Sequence, residues 1–162
     1  MKVGFIGAGK VGFSLGKYLK ENGVEITGYF SKSPESAKSA ADFTNTKLYK
    51  SIENILSDSD TLFITVPDGQ ISKVWDYMKN LDIKNICHCS GSISSTVFFD
   101  GENLGANIYS VHPLYAISDK CESWKHLNKA YFTVEGSAEN LDEIKSIFER
   151  AGNKVIAMGA EN

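Results

Sequence analysis

Nine residues near the start of the chain, GFIGAGKVG, hold two glycine spacings that predict different chemistry. Counted from Gly4, the run Gly4–x4–Gly9–Lys10 matches a P-loop in all but its last letter and would serve phosphoryl transfer with magnesium. Counted from Gly7, the run Gly7–Ala8–Gly9–Lys10–Val11–Gly12 is G-x-G-x-x-G, the spacing that lays a dinucleotide pyrophosphate on a helix N-terminus. His112, in VHPL, can exchange a proton near neutral pH, as the acid or base of a hydride transfer to C=O or C=N would need. Cys87–His88–Cys89 invites a metal-site reading.

Which chemistry applies depends on the elements that carry these residues. Short apolar runs alternate with helical spacing, the pattern of a parallel sheet covered by helices. Val3–Ile6 reads as a strand ending at the glycines, and Val11, Leu15, Tyr18 and Leu19 share one face of the helix that follows, stopped at Asn22–Gly23. Val24–Phe30 is a second strand. Ser33–Pro34–Glu35 then opens a helix: the serine caps, proline fits the first turn and glutamate suits the positive end. Lys47–Tyr49 is a short third strand, with a short helix over Ile52–Leu56. Thr61–Val66 is continuously apolar, as a central strand buried on both faces should be. Pro67–Asp68–Gly69 breaks it, with Asp68 placed either to cap the helix of Ile71, Val74, Trp75 and Met78 or to take a catalytic role at the strand end. Strands at Asn85–Cys89, Ile108–Val111, Tyr131–Glu135 and Lys154–Met158, and a helix through Leu141, Ile144 and Phe148, complete the chain. The fold class is α/β: a doubly wound, mostly parallel sheet of about eight strands.

Placing the strands decides between the two loops. A P-loop begins after its strand, whereas Gly4 falls inside the first one, and Val11 stands where a hydroxyl should hold magnesium. In the dinucleotide reading Gly7 turns the chain, Gly9 admits the pyrophosphate and Gly12 lets helix and strand approach. The second strand ends in Ser31–Lys32–Ser33, with no carboxylate before Glu35. Two hydroxyls and an ammonium suit a 2′-phosphate that an aspartate would repel, so NADP is favoured over NAD; the same serines also suit a turn and a cap. Ligands of open α/β sheets sit beyond the carboxyl ends of the strands, here at Gly7, Ser31, Val66–Pro67–Asp68, Ser90–Gly91–Ser92 and His112. Ser90 and Ser92 suit either ligand binding or a turn. Alternation on a strand places Cys87 and Cys89 on one face and His88 on the other, so the trio does not converge on a metal. No G-x-S-x-G elbow supports a hydrolase.

Composition narrows the class without naming chemistry. The 162 residues read as one domain, 1–162, without linker or repeat. A net charge of −3 gives no support to nucleic-acid binding, and no apolar run reaches the roughly 20 residues that span a bilayer. Three cysteines fit reduced thiols in a cytoplasmic protein.

GFIGAGKVGFSLGKYL, TVPDGQI, HCSGSIS and YSVHPL occur in that order. Together they resemble the N-terminal domain of short-subunit, Rossmann-like NADP oxidoreductases, relatives of pyrroline-5-carboxylate reductase and of 6-phosphogluconate and β-hydroxyacid dehydrogenases. The resemblance implies that Gly7, Ala8, Gly9, Lys10, Val11 and Gly12 cradle the pyrophosphate and that Ser31, Lys32 and Ser33 meet the 2′-phosphate. It implies that Val66, Pro67, Ser90 and Gly91 flank the nicotinamide. In the more distant prephenate dehydrogenases a His-Pro pair after the corresponding strand carries a catalytic histidine, which implies that role for His112. The expected activity is hydride transfer to or from a small carbonyl or imine substrate, the alternative being a non-catalytic NADP-binding or redox-sensing module. Members of the family usually continue into a helical C-terminal domain that completes the pocket and forms a homodimer. The chain ends at Asn162, so that domain is expected to be missing from it.

Overall fold

The computed structural model of the chain describes residues 1–159. Eight strands form one sheet: β1 (Lys2–Ile6), β2 (Glu25–Phe30), β3 (Lys47–Leu48), β4 (Thr61–Ile64), β5 (Asn85–His88), β6 (Asn107–Leu114), β7 (Tyr131–Gly136) and β8 (Lys154–Ala157). Their spatial order is β3-β2-β1-β4-β5-β6-β7-β8. Strands β1 to β6 run parallel, β7 is antiparallel to β6, and β8 follows β7 in parallel. Helices α1 (Lys10–Glu21), α2 (Pro34–Thr44), α3 (Ile52–Asp58), α4 (Asp68–Met78) and α5 (Leu141–Glu149) cover the two faces. The expected doubly wound, mostly parallel α/β fold is what forms.

Alternation along the central strands feeds two cores. Phe5, Tyr29, Phe63, Cys87 and Tyr109 share one face with α1 and α5, whereas Ile6, Leu62, Ile64 and Ile86 share the other with α3 and α4. On the first face the rings form a row across the strands: Tyr29 stacks on Phe5 at 5.1 Å and Phe5 on Phe63 at 5.5 Å. Phe63 meets Phe148 edge-on, and Phe148 stacks on Phe132 of β7. Burial of several rings of this size supplies much of the driving force that fixes the sheet's register.

Three expectations shift. Strand β4 stops at Ile64: the Thr65 N–H still reaches the Ile6 carbonyl at 2.8 Å, but its hydroxyl turns to the Gly7 carbonyl and Val66 packs with the core on the α3 and α4 side. Strand β5 stops at His88, one residue early. Strand β6 continues to Leu114, so His112 and Pro113 lie inside it and pair with Thr133 and Phe132 of β7. The proline is tolerated because β5 ends opposite Ser110, leaving that side of β6 no ladder to complete.

Candidate functional site

The strand order reverses between β1 and β4, and the crevice outside their carboxyl ends is where this architecture takes ligands. The GAGKVG turn lies there. Gly7 adopts a φ of +97°, and a Cβ on it would stand 2.5 Å from the Thr65 carbonyl oxygen, so only glycine serves. Its N–H donates to the Phe30 carbonyl at 2.7 Å, tying the turn to β2. A Cβ on Gly12 would overlap Thr65 Oγ1 and come within 2.8 Å of the Gly7 carbonyl oxygen. Thr65 Oγ1 donates to that carbonyl at 2.7 Å, locking strand end, turn and helix together. Beneath α1, the buried Tyr29 hydroxyl donates to the Gly12 carbonyl at 2.6 Å. Gly9 differs: the nearest atom to its hypothetical Cβ is the Thr65 carbonyl oxygen at 4.0 Å, so nothing in the protein requires a glycine there. Gly4 lies inside β1, paired with Leu62 and Gly28, which removes the P-loop spacing.

Helix α1 starts at Gly9 with no side chain capping it, leaving its first N–H groups free of intrahelical partners. By contrast, α2 and α3 are capped by Ser33 and Ser51. The bare end opens on a cleft of about 710 Å³. Gly7, Ala8, Gly9, Lys10 and Val11 form one wall, and Ser31, Lys32 and Ser33 another. Ser36, unremarked in the sequence, joins them: its N–H and hydroxyl both donate to Ser33 Oγ, at 3.3 and 3.1 Å. Ser31 Oγ accepts from the Ser33 N–H at 3.2 Å. These serines therefore make a turn and a cap while still lining the cleft. Apolar Phe30, Ile52, Ile64 and Ile71 form the slot between the walls, and Val66, Pro67, Cys89 and Ser90 its far end.

Asp68 is not a cap. It is the first residue of α4, after Pro67, and its carboxylate Oδ2 accepts the Ser90 hydroxyl at 2.9 Å and the Ser92 hydroxyl at 3.2 Å. That anchors the turn after β5 to the start of α4. His112 lies outside the cleft lining, one layer behind this turn. Its Nδ1–H donates to the Cys89 carbonyl at 3.2 Å, and Gly91 sits on its ring, where a Cβ would come within 2.6 Å of Cε1 and Nε2. Gly91 also lies outside the lining, so its glycine is demanded by the imidazole.

Residues 2–87, more than half of the chain, match the family described as NADP oxidoreductase coenzyme F420-dependent. The chain belongs to this family. Among solved structures similar to this chain, a protein from Thermotoga maritima is 27% identical, with a TM-score of 0.71 over 98% of this chain and 57% of that one. A reductive aminase from Aspergillus terreus, in complex with NADPH and ethyl-5-oxohexanoate, is 13% identical, with a TM-score of 0.77 over 98% and 54%. A prephenate dehydrogenase from A. aeolicus, with NAD+ and hydroxyphenyl propionate, is 18% identical, with a TM-score of 0.78 over 99% and 60%. The last two likenesses are of fold alone. The chain spans somewhat more than half the length of these structures. No curated protein matches it.

The chain thus carries the pyridine-nucleotide fold of its family, and its residues fit such a group: an open glycine, a bare helix end and a hydroxyl-rich rim. The Cys87 and Cys89 thiols lie on the α1 side of the sheet, and burial raises the pKa of both, that of Cys89 to about 12, so neither is a thiolate. His88 points to the other face, against Phe98. Among the described residues no three His, Cys, Asp or Glu side chains gather as a metal site, and no helix is long and apolar enough to cross a membrane.

Proposed function

We propose that this domain binds NADP(H) and forms the cofactor half of an oxidoreductase that moves a hydride to or from a small carbonyl or imine substrate. The observation that carries the reading is the uncapped α1 end opening, past Gly9, onto a cleft whose wall after β2 holds Ser31, Lys32, Ser33 and Ser36 with no carboxylate among them, the lining carboxylate Asp68 being tied to Ser90 and Ser92 after β5. The bound nicotinamide supplies the hydride chemistry. The chain's own residues would orient it: Gly7 to Val11 and the helix end would hold the pyrophosphate, with Gly12 buried behind them against Thr65, the serines and Lys32 would meet the 2′-phosphate, and Val66, Pro67 and Ser90 would border the ring.

His112 is the proton-transfer group in this reading. With its Nδ1–H given to Cys89, Nε2 accepts a proton when the ring is neutral and donates one when it is charged. The face of β6, β7 and β8 that carries His112 also exposes Leu114, Tyr131 and Ile156, which supports a further helical segment covering it and completing the substrate pocket. The second reading is a non-catalytic NADP-binding module, favoured by the position of His112 behind the cleft wall; it predicts cofactor binding without turnover in the full-length protein. Titration with NADPH and NADH tests the cofactor assignment. NADPH should bind at least tenfold tighter, and Lys32→Ala should remove most of that margin by deleting a charge-assisted contact of about 1.5–3 kcal/mol. Equal affinities in the wild type would refute the 2′-phosphate assignment. Turnover assays should include coenzyme F420, which the family description names.

A further inference from the structure

We infer that His88 is a positioning residue: from inside the sheet, its neutral imidazole sets the turn from Cys89 to Ser94 that forms the far end of the cleft and seats His112. The inference rests on the cofactor reading above only for the turn's function; the geometry stands without it. His88 is completely buried. Its Nδ1 lies 3.1 Å from the Ser90 backbone nitrogen, which can only donate, and its Nε2 lies 2.9 Å from the Ser94 carbonyl oxygen, which can only accept. The two partners have fixed polarity, so a single tautomer satisfies both: proton on Nε2, lone pair on Nδ1.

The turn held this way has contacts on both sides. At Ser90 the backbone is bound to His88 while the hydroxyl is bound to Asp68. The preceding Cys89 carbonyl receives His112 Nδ1–H, and the next residue, Gly91, covers the His112 ring. Cys89 and Ser90 line the cleft. Beyond the turn, Glu135 of β7 accepts from the Ser95 N–H and, at 2.8 Å, from the Ser95 hydroxyl. One imidazole thus fixes both ends of the segment that separates the cleft from His112.

A second proton on the His88 ring would sit on Nδ1 and face the Ser90 N–H donor head-on, expelling the turn. Burial opposes that proton most strongly. The titratable groups facing the ring divide: Glu135 of β7 and Asp68 of α4 favour its charged form, as does the Ser94 bond, and His112 of β6 disfavours it. The net direction is a lowered pKa, so the turn is intact at neutral pH and opens in acid.

Ring ¹⁵N NMR on the unliganded wild-type protein tests the geometry directly. At neutral pH, His88 should show protonated Nε2 and bare Nδ1, with a titration midpoint below that of an exposed histidine; a proton on Nδ1 overturns the inference. NADPH titration tests the consequence. His88→Leu should weaken binding about tenfold, the equivalent of one lost hydrogen bond. His88→Asn keeps an acceptor for the Ser90 N–H and cannot titrate. It should restore most of the affinity and lessen the wild type's weakening in acid. Wild-type affinity in His88→Leu, or an acid response in His88→Asn as large as the wild type's, contradicts the role. If the wild type binds neither NADPH nor NADH, the cofactor reading fails, and the ring spectrum still decides the tautomer and its turn.

Discussion

Among single residues, the glycines of the turn separate into two kinds. Gly7 and Gly12 are required by the protein itself, through Thr65, whereas Gly9 faces open space. Their letters and spacing were readable from the chain, but this division was not, because it depends on where Thr65 lands after leaving β4. His88 was illegible for the same reason: its tautomer is set by two backbone groups whose orientation only the folded turn defines. Asp68 was misread as a cap, since helix-start chemistry and loop anchoring use the same carboxylate. His112 was picked out by sequence and resemblance, yet the structure sets it behind Gly91. At this scale the prediction concerns His112→Ala. It removes the hydrogen bond to the Cys89 carbonyl and the Nε2 site but deletes no cleft-lining side chain, and the turn stays held by His88 and Asp68, so NADPH affinity should stay within about threefold, less than 1 kcal/mol. In the proposed hydride transfer kcat should fall by about 10²–10⁴, the usual worth of a general acid or base. Undiminished turnover would remove His112 from the mechanism.

Secondary-structure elements were largely legible because their patterns are physically unambiguous. Ser33 caps α2 and Asn22 follows α1 as expected, and the TLFI run is buried on both faces. Element ends were less so. Strand β6 runs three residues past Val111 because its antiparallel partner β7, distant in sequence, extends the ladder where β5 has stopped. The β5 end also gives a stability prediction. His88 is held neutral in the folded protein, with its pKa lowered, while in the unfolded chain it titrates near the usual 6.5. Below that value the unfolded state binds the extra proton, so His88's contribution is complete above about pH 6.5 and lost as pH falls toward the folded pKa. For one proton the slope is at most about 1.4 kcal/mol per pH unit. Urea midpoints across this range should fall in the wild type and stay flatter in His88→Asn; parallel curves would mean that His88 does not carry the effect.

For the whole molecule, the topology does the positioning. The reversal of strand order at β1 and β4 opens one crevice, and the ends of β1, β2, β4 and β5 deliver the glycine turn, the serine rim and the anchored turn to its walls. The alternation of short apolar runs with helical spacing was enough to foresee this architecture, whereas the antiparallel β7 could not be told from a parallel strand by its own residues. The central claim, that this crevice is a dinucleotide site built around an open glycine, is tested most directly by titrating NADPH into wild-type protein and Gly9→Ala. The added methyl has room in the protein alone, at an ordinary φ of −73°, so melting temperature should be retained. It would project into the space left for the pyrophosphate, so affinity should fall by about tenfold or more, at least 1.4 kcal/mol. Undiminished NADPH binding by Gly9→Ala, or no binding of either nicotinamide cofactor by the wild type, would contradict the account.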